Sequence, residues 1–510
     1  MLRASWCAAL AALAACSSLA HRPAADSRAP NVIVVLADDL GPGDPRCYND
    51  ESKIATPRID RLAAEGMRFT DAHAPASVCT PTRYGILTGR YAWRRGLQNG
   101  VLAPFDPPLI EPDRTTLPEA LRAHGYRTAC IGKWHLGWDW PLLDGTHLRD
   151  EFDGLRLDAD RRTSLVPRID FRRPIAGGPL AHGFDVYFGC DVPNHPPYAW
   201  VEGDRLLAQP TDRNDATIYG HDGPMTPGWD HSAVLPAITQ RAAAWIDDHA
   251  HAHREQPFFL LFALTAPHTP IAPTSRWSGT SGAGSYGDFV AETDWALGVV
   301  LDALARNDLD RDTMVVFTSD NGSPQYDGTG HEGALGSVKQ RFGHDPSRPW
   351  RGLKGDVWEG GHRVPFVVRW PGRVPAGATS DEPLVLTDLY RTILALAGGA
   401  PEPGDAEDSL DFSAAWCGTA PPRARRETLI HHSSRGLFAI RVGPWKLVDG
   451  RGSGGFTPDD GGADPAEGQL FDLAHDPGET TNLWSSEPRI AGDLLQRLRR
   501  IVAPAVARGP

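Results

Sequence analysis

The chain has 510 residues, 41% hydrophobic and 23% charged, a globular composition and a length beyond one ordinary core. Two domains are therefore expected. A formal charge of −13 excludes a global basic surface for nucleic acid, so an anionic ligand needs a local cluster of cations.

Residues 1–28 read as a targeting segment. Arg3 supplies a positive start and Ala8 to Ala15 a brief apolar stretch, too short to span a bilayer. Leu13-Ala14-Ala15-Cys16 resembles a bacterial lipobox, which would make Cys16 a lipid-anchored N-terminus; ordinary cleavage near Ala20 is the alternative. Either reading exports the protein, to the bacterial periplasm or to the cell surface. Beyond Cys7 and Cys16 of this segment, five cysteines, Cys47, Cys79, Cys130, Cys190 and Cys417, are widely spaced with no C-x-x-C pair. Neither a zinc site nor a dense disulfide framework is indicated.

Asn31 to Ala37 (NVIVVLA) is a continuous apolar run, the pattern of a strand buried on both faces, and it stops at Asp38-Asp39. Pro57 to Glu65 predicts a helix with Thr56 as N-cap and Gly66 beyond its end. Thr116 to Glu119 is a capping-box match opening a helix that stops by Gly125. Arg127 to Ile131 then reads as a strand leading into Gly132-Lys133-Trp134-His135. Leu235 to His249 looks helical, and Phe258 to Thr265 is an apolar strand leading to His268. Tyr286 to Asn307 has the stripe of a long amphipathic helix, and Thr313 to Thr318 is a β-branched strand ending at Asp320-Asn321.

This alternation predicts an α/β fold with a large, mostly parallel or mixed central sheet and helices on both faces. After about residue 400 the texture changes. Pro401 to Asp408 reads as a linker, Leu437 to Arg441 and Trp445 to Val448 as a hairpin, and Gln469 to Leu473 as a strand. Gly450 to Gly468 reads as a mobile loop and Ile490 to Val502 as an amphipathic closing helix. The expected organisation is a catalytic domain over 29–405 and a small α+β unit with an antiparallel sheet over 406–510.

Four strands each end in a polar cluster: Asp38-Asp39, Lys133 with His135, His268, and Asp320-Asn321. Ligands of open α/β sheets bind beyond the carboxyl ends of the strands, so these clusters are expected to converge. Singly, each has a plainer reading as a turn, a cap or a solvated side chain. Three carboxylates and an amide are hard oxygen ligands, suited to calcium or magnesium rather than zinc or copper. Arg83, Lys133, Lys354 and the two histidines would hold an anion beside that metal. Metal, cations and a nucleophile together describe hydrolysis of a tetrahedral oxyanion ester.

The segment Cys79-Thr80-Pro81-Thr82-Arg83, continued by Tyr84 to Arg90 (YGILTGR), resembles the sulfatase signature, in which the cysteine of C-x-P-x-R is oxidised to formylglycine. Thr82 stands where many members carry serine, so the hydroxyl is kept. Asn31 to Asp44, Gly132 to Gly137 (GKWHLG), His182 to Gly189 (HGFDVYFG), Ala266 to His268, Ser319 to Gly322 (SDNG), Arg351 to Pro365 and Leu470 to Leu483 are similar to further sulfatase motifs, in the family's order.

The resemblance implies an alkaline phosphatase-like fold and an arylsulfatase-like sulfuric ester hydrolase matured by a formylglycine-generating enzyme. It implies that Asp38, Asp39, Asp320 and Asn321 hold one calcium ion, with the formylglycine at Cys79 as a further ligand. The hydrated aldehyde attacks sulfur while Arg83, Lys133 and Lys354 stabilise the oxygens. His268, with Lys354, protonates the departing alcohol, and His135 then takes the proton whose loss expels sulfate. One alternative is a phosphate or phosphonate ester hydrolase of the same superfamily, disfavoured because such enzymes usually carry Asp-His where this chain has Asp320-Asn321. The other is a catalytically silent protein that binds sulfated glycans, disfavoured by the presence of Cys79, His135 and Lys354.

For the substrate, the insertion Trp138 to Leu180 and the loop Asp191 to Tyr198 (DVPNHPPY), which carries His195, are expected specificity walls. Trp138, Trp140 and Trp200 are candidates to stack on sugar rings, core packing being the plainer role for any one of them. HGFDVYFG followed by DVPNHPPY resembles sulfatases acting on 6-sulfated N-acetylgalactosamine or related glycan sugars.

Overall fold

The computed structural model describes residues 29–215, 220–421, 426–458 and 466–506. The targeting segment with Cys16, and part of the loop Gly450 to Gly468, lie outside the described residues. Among those described, no helix is long and apolar enough to cross a membrane.

The run NVIVVLA forms the strand Asn31–Asp38, buried along its whole length at the centre of a ten-stranded sheet. It pairs in parallel with Phe258–Pro267 on one side and Thr313–Ser319 on the other. Arg127–Lys133 follows outside Phe258–Pro267, also parallel, and Val186–Cys190 outside that. Successive side chains of a strand point to opposite faces. Accordingly Val32, Val34 and Leu36 enter one core, while Ile33, Val35 and Ala37 enter the other. Helices Val234–Ala252 and Gly284–Arg306 cover the second face, and Cys79–Thr88 and Asp388–Leu396 pack in the first. Burial on both faces explains why these strands read as unbroken apolar runs.

The sheet is mixed. Phe366–Arg369 pairs antiparallel with Thr313–Ser319, and Met67–Phe69 antiparallel with Phe366–Arg369. A separate four-stranded antiparallel sheet runs in the order Leu429–His432, Phe438–Val442, Trp445–Val448, Gln469–Asp472. The closing helix Pro488–Val506 packs against it through Ala491, Leu494, Leu498 and Val502.

Several expectations are corrected. Thr56 does not cap the helix Pro57–Glu65 through its side chain. Its hydroxyl turns to Asp60, and the first-turn N–H groups of Arg58 and Ile59 donate instead to Asp294 of the long helix. Trp138 and Trp140 are 1% and 2% exposed within the core, so neither offers a face to a sugar. Trp200 stacks on Phe188 and leans on Trp229. The stretch Pro401 to Asp408 is not a free tether: Ala406 is buried, and Asp408 accepts hydrogen bonds from Arg94 and from the N–H of Tyr91. The described part of Gly450 to Gly468 is also anchored, with Ser453 buried and Thr457 bonded to Asp356.

Candidate active site

Asn31–Asp38, Phe258–Pro267, Arg127–Lys133 and Thr313–Ser319 are neighbours, so their carboxyl ends deliver Asp38, His268, Lys133 and Asp320 to one place. Regular alternation would send Asp38 and Asp39 to opposite faces. The register of the central strand shifts between Leu36 and Asp38, and Asp39 adopts φ 70°, which brings its carboxylate to the same site. Gly132 is required before Lys133. At φ 118°, a Cβ there would lie 1.8 Å from the carbonyl oxygen of Ala263 on the adjacent strand.

Cys79 begins the helix Cys79–Thr88, and Arg83, one turn later, lies on the same face. The Cys79 sulfur stands 3.7 Å from Asp38 Oδ1. Arg83 donates to Asp320 Oδ2 through Nε at 3.0 Å and Nη2 at 2.8 Å, and to the carbonyl of Lys133 at 3.1 Å. Lys133 Nζ donates to Asp38 Oδ2 at 2.7 Å, and Lys354 Nζ reaches Asp39 Oδ1 at 2.6 Å. Asn321 Nδ2 donates to Asp39 Oδ1 at 2.7 Å. The site is thus a buried interleaving of three carboxylates and three cations.

Two histidines close it. His268 Nδ1 donates to the carbonyl of Thr269 at 2.6 Å, leaving Nε2 3.8 Å from Asp39. His135, at φ 56°, donates from Nε2 to the carbonyl of Leu102 at 3.0 Å, and its buried Nδ1 has no partner. His195 packs edge to face on His135, with ring centroids 5.9 Å apart, and its own buried Nδ1 is also unpaired. The structure thus brings the predicted site residues together, with His195 as a neighbour of His135.

Burial dominates the electrostatics. It pushes the Cys79 thiol up to about 12, so an unmodified Cys79 is not a thiolate at neutral pH. Burial raises Asp39 to about 6, the pull of Lys354 being countered by Asp38 and Asp320. At Asp38 the same burial is outweighed by Lys133, Arg83 and Lys354, which hold the carboxyl below its ordinary range. Burial and nearby Lys133 hold His135, His195 and His268 well below the ordinary imidazole range, with Lys354 acting ahead of Lys133 at His268 and His221 ahead of it at His195.

The residues fit a bound cation. Oxygen or sulfur atoms of Asp38, Asp39 and Cys79 come within 4.8 Å of one another and of a His268 nitrogen. Asn321 Oδ1 is buried without a hydrogen-bond partner, an orphan acceptor that a metal would satisfy. A set of carboxylates and an amide oxygen suits a hard cation.

Two contributors were not singled out from the sequence. Asp191 accepts the N–H of His135 at 3.1 Å, and burial lifts its carboxyl to about 6. The backbone of Leu102 links the Thr80 hydroxyl, which accepts its N–H, to His135. Thr82 turns its hydroxyl to the carbonyls of Ala76 and Val78, bracing the loop before Cys79. Asp191 stood at the start of a loop already marked as a specificity wall, and no spacing signals a backbone carbonyl.

The sulfatase family model matches residues 30–400. The chain is 31% identical over 499 residues to an N-acetylgalactosamine-6-O-sulfatase of Bacteroides thetaiotaomicron, covering 93% of this chain and 94% of the relative. It is 33% identical to human arylsulfatase A, over 93% of this chain and 87% of that one. A solved sulfatase from work on glycosaminoglycan metabolism by B. thetaiotaomicron superposes with a TM-score of 0.78 at 28% identity, covering 94% of this chain and all of that chain. The chain belongs to the sulfatase family and is a sulfuric ester hydrolase.

Proposed function

We propose that the chain removes sulfate from sulfated glycan sugars, with 6-sulfated N-acetylgalactosamine the first substrate to try, using a formylglycine made from Cys79 and one calcium ion held by Asp38, Asp39, Asp320 and Asn321. The observation that carries this reading is the ring of Arg83, Lys133 and Lys354 around Asp38, Asp39, Asp320 and Cys79, in a chain alignable nearly end to end with an N-acetylgalactosamine-6-O-sulfatase. When in place, formylglycine supplies a hydrated aldehyde able to attack sulfur and release sulfate again, and calcium supplies positive charge beside the oxygens.

The chain's own residues do the rest. Arg83, Lys133 and Lys354 are buried cations, held beside the site by Asp320, Asp38 and Asp39, that bind the sulfuryl oxygens, and preorganised charge of this kind is where electrostatic catalysis is strongest. His135 carries its proton on Nε2, tied to Leu102, and so presents Nδ1 as the base. His268 presents Nε2 beside Asp39 and Lys354; protonated there, the ring hands that proton to the departing sugar oxygen, and Lys354 stabilises the charge on that oxygen. His195, against His135, is a wall of the sugar subsite. We also propose a catalytic unit over 29–405 with a C-terminal unit over 406–510, maturation by a formylglycine-generating enzyme, and export to the periplasm or cell surface with Cys16 as a lipid anchor.

The test is turnover on a panel of sulfated mono- and disaccharides, with an aryl sulfate as generic control. Preference for a 6-sulfated hexosamine supports the reading. A phosphate diester hydrolysed far faster than every sulfate would sink it.

A further inference from the structure

Lys354 sits on a short loop whose hold on the protein is unusual. Its own N–H donates to the carbonyl of Ser323 at 3.0 Å, near the metal-ligand candidates. The next residue bridges two parts of the chain. Gly355 N–H donates to the carbonyl of Ser77, just before Cys79, at 2.9 Å, and its carbonyl accepts from Ser434 N–H of the C-terminal unit at 2.8 Å. Ser77 is itself tied to that unit, through its N–H and hydroxyl to the carbonyl of His432, both at 3.1 Å. The nucleophile loop and the lysine loop thus hang on the same edge of the small sheet.

Asp356 completes the clamp. Its side chain is fully buried. Oδ2 accepts the N–H of Leu353 at 3.0 Å, closing the lysine loop on itself, and also the hydroxyl of Thr457 at 2.5 Å. Oδ1 accepts the N–H of Thr457 at 3.0 Å. Val357 N–H donates to Ser453 at 2.8 Å. The two backbones touch: a Cβ on Gly455 would lie 2.1 Å from Gly355 O, and one on Gly355, at φ 89°, would lie 2.9 Å from the Phe456 ring. No side chain other than glycine fits either position without moving the loop.

We propose that Asp356 is a positioning residue for Lys354, acting through Thr457, so that segment 453–457 of the C-terminal unit is a working part of the active site and not only a lid on the fold. The inference rests on the reading that Lys354 stabilises the departing sugar oxygen. A lysine has four rotatable side-chain bonds, so its ammonium is only as well placed as its backbone. A misplacement on the order of 1 Å can lower a rate by about a hundredfold when geometry is limiting. Asp356 touches no reacting atom, and its effect must therefore show the chemical signature of the lysine it positions.

That signature is dependence on the leaving group. A nitrophenolate leaves without help, whereas a sugar alkoxide needs charge stabilisation and a proton. Lys354→Ala, Asp356→Asn, Thr457→Val and the double variant Lys354→Ala/Asp356→Asn are assayed as mature, full-length enzymes. The substrates are 4-nitrophenyl sulfate and 6-sulfated N-acetylgalactosamine, with melting curves to check folding. The expected result is a kcat loss of about tenfold or more on the sugar sulfate for Asp356→Asn and a smaller loss of the same kind for Thr457→Val. Loss on the aryl sulfate is several-fold smaller, reporting only the part Lys354 plays at the sulfuryl oxygens, and the double variant is no worse than Lys354→Ala.

Equal losses on both substrates, or additive losses in the double variant, overturn the inference while leaving the reading of Lys354 intact. If Lys354→Ala itself shows no preference between leaving groups, the reading fails and the inference falls with it. Thr457→Val removes one hydroxyl, so it decides the question if Asp356→Asn does not fold.

Discussion

Lys446→Met is the sharpest test of how the small sheet is fastened to the large one. Lys446 is fully buried, with Nζ 2.7 Å from Glu479 Oε1, 3.0 Å from Glu359 Oε1 and 3.3 Å from His362 Nε2. Burial pushes Glu359 up, but Lys446 and Arg363 outweigh it and keep its carboxyl ionised. Glu479 is different: burial lifts it to about 7 despite Lys446, with Glu359 adding repulsion. Replacing the lysine by an apolar chain of similar length keeps the packing and leaves Glu359 and Glu479 facing each other in a dry pocket without their shared cation. Breaking a buried pair in this way costs about 3–5 kcal/mol, because the orphaned charge and not the lost attraction sets the penalty.

Denaturant unfolding at pH 7.5, followed by tryptophan fluorescence, reads this loss as a lower midpoint at unchanged slope. Glu479→Gln is the companion. Its folded-state carboxyl is raised above the unfolded value of 4.5, so wild-type ionisation becomes progressively unfavourable as pH rises from 4.5 through 7. The Gln variant should therefore match wild type near pH 4.5 and gain on it towards pH 8, and it should partly rescue Lys446→Met. A Lys446→Met loss below about 1 kcal/mol would refute the claim that this buried network carries the seam.

Acid should loosen the same seam. His73, His362 and His431 stack at the junction among Asp71, Glu359, Glu479, Arg363, Arg441 and Lys446, and burial holds all three below the ordinary imidazole value. Their neutral forms stabilise the fold fully above pH 6.5, and that contribution is lost as pH falls through their lower folded values, so the melting temperature drops below pH 6.5. His431→Leu, which removes two buried unpaired ring nitrogens, should change stability at pH 7.5 by less than about 1.5 kcal/mol and flatten the acid limb. A steeper acid limb would contradict the role given to His431. Asp294→Ala, which strips the remote cap from Pro57–Glu65, should cost about 1–2 kcal/mol in the same unfolding assay. Calcium at about a hundred times its dissociation constant should stabilise wild type by about 2.7 kcal/mol, and Asn321→Ala should lower calcium affinity without altering the calcium-free melting temperature by more than a few degrees. Equal calcium stabilisation of both proteins would remove Asn321 from the ligand set.

The legible parts of the fold were those where one physical demand acts over many residues. Asn31–Asp38 and Phe258–Pro267 are buried on both faces, and that demand writes an apolar run long enough to read. The site was legible because each cluster stands at the end of such a run. Met67–Phe69 and Phe366–Arg369, which turn a parallel sheet into a mixed one, are too short to show alternation. The cap from Asp294 reaches a helix start 235 residues away at Ile59, and the link from Thr457 to Asp356 spans 101 residues, so no local spacing announces either. Trp138 and Trp140, candidates for a sugar platform with core packing as the plainer reading, take the plainer one, and only their burial decides it.

In the proposed mechanism Cys79 is a precursor, and its aldehyde, not its thiol, performs the chemistry. The most direct measurement is the mass of the tryptic peptide containing residue 79, taken from enzyme whose sulfate-releasing activity has been titrated in the same preparation. Formylglycine at residue 79 is expected in proportion to activity, with no activity in Cys79→Ala. Full activity in protein whose residue 79 is unmodified cysteine would contradict that mechanism.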